Sequence, residues 1–347
     1  MNSRERVLTT FAHREPDRVP LWFGMSGHFI DKAKKELGLT DAEALRRRLG
    51  DDFRRVFASY RVPDAPLPQG VVSRTIFGVD RLGYEYGQPA SHPLAAASIK
   101  EVHAYPWPDP ACVDVSGIRS AAKGWRDEYA ILGGDWSPFW HDAIDLLGME
   151  NLYLKMYDEP ELVDALMRHM VDFYAATSRR ILDEAGDLID VFFIGNDLGS
   201  QTGPLLGPAL FERFVLPHLK RLIDLGHGYG LKVQLHCCGG FAPLIPSLIE
   251  AGLDALHAVQ PDCCGMDPRR LKTEFGERIV FNGGIDSHHV LIDGTPETVR
   301  RDTRSVVEIM VPGGGFVAGA SHDWILEETP VANIVAMADA VREFGKY

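Results

Sequence analysis

The residues with the clearest capacity for chemistry are His236 and Cys238, which close an apolar run near the middle of the chain. The run 232–235 has the composition of a β-strand. Side chains alternate along a strand, so these two point to one side and Cys237 to the other. An imidazole and a thiolate placed this way can bind one soft metal ion, most plausibly zinc. Two ligands do not complete a site, and a cysteine pair that only packs in a core explains the same residues about equally well.

Elements that could position this pair follow from an alternation along the chain. Short β-like runs occur at 19–23, 56–60, 131–135, 191–197, 233–238, 255–260, 279–284 and 314–320. Helical patterns, with apolar residues three and four apart, lie between most of them at 161–185, 211–225, 244–251, 268–275, 296–310 and 330–344. Alternating strands and helices indicate a parallel sheet in an α/β protein, and about eight units favour a single (β/α)8 TIM-like barrel. A doubly wound open sheet is the alternative, but no Gly-x-Gly-x-x-Gly follows the first run.

The positions of polar residues also favour the barrel, where chemistry collects at the C-terminal ends of the strands. Six predicted strands end in, or lead directly into, a polar or metal-binding side chain: Asp135, Asp197, His236 with Cys238, Gln260, Asp286 and His322. The general polarity of loops explains any one of these, but explains the whole set less readily. Glycine pairs beside them let a backbone approach a ligand closely, or they only shape turns.

Weaker candidates lie in the neighbouring segments. His288 and His289 follow Asp286 and line the same pocket or a surface loop with equal plausibility. The adjacent cysteines at 263–264 are more typical of a loop than of a ligand set. The segment 77–88 has the pattern of a β-hairpin, from which Tyr84 could contact a substrate.

Composition narrows the classes of protein that this chain can belong to. It has 347 residues, 45% of them hydrophobic, and a formal charge of −13, which disfavours a nucleic-acid partner. No apolar segment follows the charged N-terminus as in a secretory signal, and no run is long enough to span a bilayer. The five cysteines do not form a disulfide framework. We therefore expect a cytoplasmic protein without membrane or nucleic-acid partners, folded as one domain over 1–347 with helical and hairpin additions within about 1–110.

Five stretches of the chain resemble the uroporphyrinogen decarboxylase superfamily: 4–8 with 13–20, 196–204, 236–239, 281–286 and 328–334. They run nearly from end to end. The resemblance implies a single TIM-like barrel with one of two chemistries. One is decarboxylation of uroporphyrinogen without metal or cofactor. The other is zinc-dependent methyl transfer from a corrinoid protein to a thiol, as in methylcobamide:coenzyme M methyltransferases.

Departures from each pattern separate the two chemistries. The decarboxylases carry an arginine-rich segment near the first strand, but no arginine occurs here between Arg18 and Arg46. A substrate with eight carboxylates needs such cationic groups. The methyltransferases carry His-x-Cys, matched by His236 and Cys238, and a later third cysteine that is missing here. His322 or Asp323, which lie in that region, could replace it because both residue types ligate zinc.

The resemblance thus implies a zinc-dependent methyltransferase, part of a demethylase system, working between a corrinoid protein or free cobalamin and a small thiol or folate acceptor. It implies metal ligation by His236, Cys238 and His322 and catalytic roles for Asp197, Asp286 and His322. Candidate substrate-binding residues are Asp135, Gln201, Gln260, His28 and Tyr84. A homodimer is compatible with the superfamily. The alternatives are a cofactor-free decarboxylase of porphyrin biosynthesis and a non-catalytic barrel that binds a corrinoid or tetrapyrrole.

Overall fold

A parallel sheet forms the centre of the computed structural model, which describes residues 1–61, 66–83 and 87–347. Within these residues its strands are β1 (Leu21–Trp22), β2 (Phe53–Arg55), β3 (Ala130–Gly133), β4 (Val191–Gly195), β5 (Lys232–His236), β6 (Ala255–Val259), β7 (Val280–Ile285) and β8 (Phe316–Ala320). They neighbour one another in the order β1-β8-β7-β6-β5-β4-β3-β2, and the paired strands are parallel. This is the predicted (β/α)8 barrel, so the fold class is confirmed.

Between β1 and β2 the barrel is closed by the backbone and side chain of Asp52 and not by a ladder of backbone hydrogen bonds. Asp52 N–H donates to the carbonyl of Leu21 at 3.0 Å. The fully buried Asp52 carboxylate accepts the N–H of Leu21 at 2.8 Å and further bonds from the guanidinium groups of Arg6 and Arg18. Two arginines and a backbone amide compensate this buried charge, as burial requires.

The helices cover the outside of the sheet and follow the strands in the expected alternation. They are α1 (Ser3–Phe11), α2 (Gly27–Leu37), α3 (Ala42–Leu49), α4 (Ile99–Ala104), α5 (Ile118–Trp125), α6 (Phe139–Leu147), α7 (Met149–Asp158), α8 (Pro160–Ala185), α9 (Pro208–Phe214), α10 (Leu216–Gly228), α11 (Ile245–Glu250), α12 (Pro268–Phe275), α13 (Pro296–Met310) and α14 (Val331–Phe344). Short 3-10 turns occupy Pro110–Cys112, Gly186–Leu188 and Ala242–Leu244, and a π-helical turn occupies Ser287–Ile292. Among the described residues, no helix combines the length and the apolar character needed to cross a membrane.

Apolar side chains form two layers, one inside the barrel and one between the strands and the helices. The inner layer includes Trp22, Phe53 and Phe193, and α1 adds Val7 and Phe11 to it. The first helix therefore closes one end of the barrel and leaves the C-terminal ends of the strands open. The outer layer fixes the strands against the helices, so that side chains at the open end project from a rigid frame.

Two elements differ from the sequence expectation. The second strand, predicted at 56–60, lies at Phe53–Arg55. The prediction missed this position because the charge of Arg54 interrupts the apolar pattern. In the structure Arg54 is buried and pairs with Glu43. The helix predicted at 211–225 is split into α9 and α10. A proline at position 217, in the first turn of α10, provides no backbone N–H to continue a helix.

Small antiparallel elements lie outside the barrel sheet. Ser59–Tyr60 pairs with Val113–Asp114, and Gly199–Ser200 pairs with Gly203–Pro204. The predicted hairpin around 77–88 is a three-stranded sheet of Ser73–Arg74, Asp80–Leu82 and Gln88–Pro89.

Candidate functional site

A pocket of about 490 Å³ opens at the C-terminal ends of the barrel strands. Its polar lining comes from six residues on different strands and loops: Arg55, His141, Asp197, His236, His322 and Asp323. Phe57, Trp136, Trp324 and Leu326 add an apolar wall. This combination of an apolar cavity and a few convergent polar groups is typical of a small-molecule site.

Three potential metal ligands meet in this pocket: Asp197 after β4, His236 at the end of β5, and Cys238 just beyond it. Their ligand atoms all lie within 4.8 Å of one another. His236 Nε2 is 3.4 Å from Cys238 Sγ and 3.4 Å from Asp197 Oδ1. One nitrogen, one sulfur and one oxygen on an open pocket are a donor set that zinc accepts, with a position left for a substrate.

The surroundings of Asp197 keep its carboxylate ionised. Burial by itself would raise its pKa, but a hydrogen bond from His141, the charges of His236 and His141, and the Cys238 N–H hold the pKa below its usual value. The His141 Nε2 to Asp197 Oδ2 distance is 3.1 Å, and Cys238 N–H donates to Asp197 Oδ1 at 2.8 Å. Asp197 is therefore a fixed negative group, and Cys238 and His141 orient it.

The surroundings of Cys238, in contrast, keep its thiol protonated. Burial raises its pKa well above the usual value, and the nearby Asp197 carboxylate adds to the effect. Without a compensating cation this side chain stays a neutral thiol, so its use as an anion requires a positive charge in the pocket.

His257 on β6 completes the environment of His236. The two residues are paired in register across β5 and β6, and their Nδ1 atoms lie 3.1 Å apart. His257 is fully buried, and its Nε2 has no hydrogen-bond partner among the described residues. Burial lowers the pKa of both imidazoles. When His236 Nδ1–H donates to His257 Nδ1, His236 Nε2 is a free lone pair facing Asp197 and Cys238, as a metal ligand needs.

Asp323 lies between His257 and Arg55. Asp323 Oδ1 lies 3.9 Å from His257 Nδ1 and has no hydrogen-bond partner in the part of the chain that the structure describes, while Oδ2 accepts from Arg55 Nη1 at 3.3 Å. His236, His257 and Asp323 also bring ligand atoms within 4.8 Å of one another, all three buried. The site thus has one open cluster at the pocket and one buried cluster behind it, with His236 in both.

His322, expected as a metal ligand and as a catalytic residue, lines the pocket but belongs to neither cluster. Its Nδ1 contacts the N–H and carbonyl groups of Trp324, and its ring centre is 6.5 Å from that of His236. In this geometry the third potential ligand atom beside His236 and Cys238 belongs to Asp197, while His322 lines the pocket without joining that group.

The other predicted site residues are spread around the open end. The side chain of Gln260 accepts the N–H of Gly239 at 2.6 Å and so supports the loop after Cys238. Asp135 is buried in the wall and accepts hydrogen bonds from the hydroxyl groups of Tyr60 and Thr177. Both side chains therefore hold the protein groups around the pocket in place through their hydrogen bonds.

Asp286 lies outside the main pocket. It caps the turn Ser287–Ile292 through the N–H groups of His288 and His289, and it pairs with His289 Nδ1 at 2.8 Å. Gln201 and His28 are exposed, and neither lines the pocket. Tyr84 lies outside the described residues. The structure therefore does not bring this second group to the candidate metal ligands.

Two loops hold the ligands at a fixed spacing. Ser200 and Gly240 form an antiparallel bridge between the loop after β4 and the loop after β5. Gly239 has a φ of +83°, and a Cβ there would lie 2.3 Å from the carbonyl carbon of Gly199. Glycine is required because the backbones touch, and the contact ties Asp197 to Cys238.

Sequence reasoning missed His141, His257 and Arg55. His141 lies in the first turn of α6, after β3, and His257 lies inside an apolar strand where a histidine resembles a core residue. Arg55 ends β2, which was expected three residues later. Placing that strand correctly would have identified Arg55 by the same strand-end criterion.

The geometry defines a (β/α)8 barrel with a candidate metal centre at the C-terminal ends of its strands. The chain belongs to the uroporphyrinogen decarboxylase family, whose model, described as Uroporphyrinogen decarboxylase (URO-D), matches residues 76–344. The family resemblance expected from the sequence is thereby confirmed.

Relatives of two kinds are similar to the chain. It is 21% identical over 237 residues to the methylcobamide:CoM methyltransferase MtbA of Methanosarcina acetivorans, covering 66% of this chain and 63% of that protein. It is 28% identical over 341 residues to a uroporphyrinogen decarboxylase of Mycolicibacterium gilvum, covering 89% of each. The solved structure of a methyltransferase from Methanosarcina mazei aligns with a TM-score of 0.66 at 18% identity, covering 99% of both chains. That structural likeness shows the shared fold.

Proposed function

We propose that this protein is a zinc-dependent methyltransferase that moves a methyl group between a corrinoid and the sulfur of a small thiol. The observation that carries the proposal is the meeting of Asp197, His236 and Cys238 ligand atoms within 4.8 Å at an open pocket. Similarity to MtbA proteins supports it, although the match covers only 63% of their length. The corrinoid would be carried by a partner protein or be free cobalamin, as in a demethylase system.

Zinc bound by these three residues would supply a positive charge that lowers the pKa of an acceptor thiol in the open position, so that a thiolate nucleophile exists at neutral pH. His236 would bind through Nε2 while its Nδ1–H donates to His257. His141 and the Cys238 N–H would hold the Asp197 carboxylate in place.

The apolar wall has a second role in this proposal. Trp136 packs against the His236 ring with 5.2 Å between ring centres, and Phe57 and Trp324 are exposed at the mouth. A methyl group makes no hydrogen bonds, so a wall of aromatic rings accommodates it and keeps water away from the sulfur. The exposed aromatic mouth also suits contact with a large, flat donor.

The longer match to decarboxylases favours a second candidate, a cofactor-free decarboxylase. The electrostatics of the pocket oppose its usual form. Among the described residues lining the pocket, Arg55 is the single arginine, and Asp197 and Asp323 face the same space. A porphyrinogen with eight carboxylates would meet more negative than positive side chains there.

The test is zinc content measured side by side on the wild type, Cys238→Ser and Cys264→Ser. Cys264 is exposed and outside both clusters, so it controls for the loss of a cysteine. We expect about one zinc per chain in the wild type and the control, and at least about tenfold less in Cys238→Ser. Wild type should then demethylate methylcobalamin in the presence of thiols, with tetrahydrofolate as the alternative acceptor. A metal-free wild type that converts uroporphyrinogen would overturn the proposal in favour of the decarboxylase.

A further inference from the structure

A pair of histidines lies on the outside of the protein, between α4 and α8. His103 Nδ1 is 3.1 Å from His169 Nε2, and the two rings meet edge to face with 5.4 Å between their centres. His103 is exposed and His169 is half-buried. Neither residue lines the main pocket or belongs to the two clusters described there. The pair is therefore a separate meeting of two side chains that can ligate a metal.

The spacing of the two nitrogens fits one shared ion. Imidazole nitrogens bind a transition metal at about 2.0–2.1 Å, so two of them in adjacent coordination positions lie about 3 Å apart. Each ring offers a lone pair at the facing nitrogen when it carries its proton on the other one. The same geometry thus serves a hydrogen bond between His103 and His169 or, with both lone pairs turned inward, the chelation of an ion.

His169 is oriented before an ion arrives. The Trp107 indole stacks on its ring, with 5.0 Å between centres and 9° between planes. Trp107 is itself held, because its Nε1–H donates to the carbonyl of Val102 at 2.9 Å. Val102 directly precedes His103 on α4, so this bond also fixes the helix that carries the other histidine. Little conformational freedom remains to be lost on binding.

The charges around the pair permit a cation. Burial lowers the pKa of His169, and the charges of His103 and Arg168 add to the effect, so a lone pair is present at neutral pH. The Asp172 carboxylate, on the next turn of α8, opposes that shift and favours a positive ion. Among the described residues, no third histidine, cysteine or carboxylate lies within 4.8 Å of both nitrogens. Water would therefore complete the coordination.

We propose that His103 and His169 form a metal site on the outside of the barrel, which takes a divalent ion of the copper or nickel type and bridges α4 and α8. Imidazole suits both ions, and their tetragonal coordination accepts two adjacent nitrogens with water in other positions. A structural zinc site would need more protein ligands. The ion would also fix the segment 105–110, because Trp107 stacks on one of the ligands. This inference is independent of the proposed function, since no pocket residue takes part in it.

The first test is nickel binding measured by calorimetry. The wild type, His103→Gln and His227→Gln are titrated with nickel chloride, with one equivalent of zinc present to fill the candidate site in the pocket. His227 is an exposed histidine that pairs with Asp254 and serves as the matched control. Losing a ligand should cost at least as much as losing a ligand's outer partner, so we expect at least about tenfold weaker binding by His103→Gln than by the wild type and the control. Equal affinities in all three proteins overturn the proposal.

The second test uses Trp107 to locate the ion. Bound nickel quenches the fluorescence of an indole beside it, and Trp107 stacks on a proposed ligand. We expect saturable quenching in the wild type that is lost in Trp107→Phe, although calorimetry still detects the ion in that variant. Quenching that persists unchanged in Trp107→Phe places the ion elsewhere and overturns the site.

The third test asks whether the ion bridges the two helices. An ion that binds only the folded state stabilises the elements that it joins, so saturating nickel should slow amide hydrogen exchange at 99–107. We expect this protection in the wild type and His227→Gln and not in His103→Gln. His169→Gln provides the same comparison from the other ligand if His103→Gln does not fold. Exchange in α4 that nickel does not slow in the wild type overturns the bridge.

Discussion

His236 and His257 face each other across β5 and β6, with 3.1 Å between their Nδ1 atoms. One of the two nitrogens must carry the shared proton. If His236 carries it, its Nε2 is available to a metal and its ring is fixed; if His257 carries it, His236 Nε2 is protonated and cannot ligate. The choice of tautomer in this pair therefore decides whether His236 can act as a metal ligand.

The first prediction follows from that pair. Replacing His257 by leucine removes the acceptor, and we expect zinc affinity to fall about 10–100-fold. His257→Gln retains an acceptor oxygen and should lose less. Affinity is measured by competition with a chromophoric chelator, and the cobalt(II) absorption spectrum reports the ligand geometry. His227→Leu, at an exposed histidine that pairs with Asp254 and belongs to none of the described groups of potential metal ligands, is the control. Wild-type affinity in His257→Leu would show that His236 is oriented without its neighbour.

The second prediction concerns the third ligand. Asp197→Asn keeps the shape of the side chain and the acceptor for the Cys238 N–H, but it removes the charge and the better donor oxygen. We expect about tenfold or greater loss of zinc affinity, whereas His322→Ala should retain the ion because His322 lies outside the cluster. Equilibrium dialysis of both variants compares them directly. Loss of zinc in His322→Ala alone would restore His322 as the ligand.

The third prediction uses the contact between the two ligand-bearing loops. Gly239→Ala places a Cβ against the Gly199 backbone at a positive φ, so we expect the free energy of unfolding to fall by about 2 kcal/mol or more. Gly228→Ala is the control, since its Cβ meets nothing within 4 Å and its φ is ordinary. Urea unfolding measures both. An unchanged midpoint for Gly239→Ala would mean that the loops can separate at little cost.

The fourth prediction concerns the pH dependence of stability. Asp142 on α6 is buried beside the Tyr174 hydroxyl, and burial, aided by the Asp145 charge, raises its pKa to about 7. His141 and Arg81 oppose the shift. The unfolded chain releases this proton near the ordinary value of 3.8, so the folded state binds more protons between the two values. The contribution of Asp142 to stability is therefore full below about pH 4 and is lost as the pH rises towards 7.

Asp142→Asn should remove this dependence. We expect urea midpoints of the wild type, relative to the variant, to decline from pH 4.5 to pH 7 and then to level off. Asp224→Asn, at an exposed carboxylate paired with Lys220, should follow the wild-type profile. Parallel profiles for the wild type and Asp142→Asn would show that Asp142 is ionised in the folded protein.

Much of the fold was predictable because barrel strands buried on both faces are continuous apolar runs. Seven of the eight expected runs overlap the barrel strands described. The second was misplaced because Arg54 and Arg55 give β2 a charged appearance, although Glu43 and the aromatic ring contacts compensate these charges in three dimensions. Such compensation comes from residues distant in sequence and leaves no local pattern.

The candidate site likewise contains residues that could be predicted from the sequence and residues that could not. His236, Cys238 and Asp197 end apolar runs, so their meeting at one end of the barrel was predictable, and their role as ligands stays a prediction. His257 was not predictable, because only the register of β5 against β6 brings it to His236. His322 appeared to be the third ligand because sequence position reveals which loop a residue occupies but not where its ring turns.

The seam between β1 and β2 gives the barrel a defined place at which to open. Elsewhere neighbouring strands share a ladder, whereas across this seam the described backbone bond of Asp52 and its carboxylate join the edges. Local unfolding begins where such bonds are few. Arg55 ends the strand beside the seam, while His236 ends a strand on the opposite side of the barrel and Cys238 follows it. Opening there would displace Arg55 and leave His236 within its ladders, so the pocket could change shape on the side of β2 without moving the candidate metal ligands.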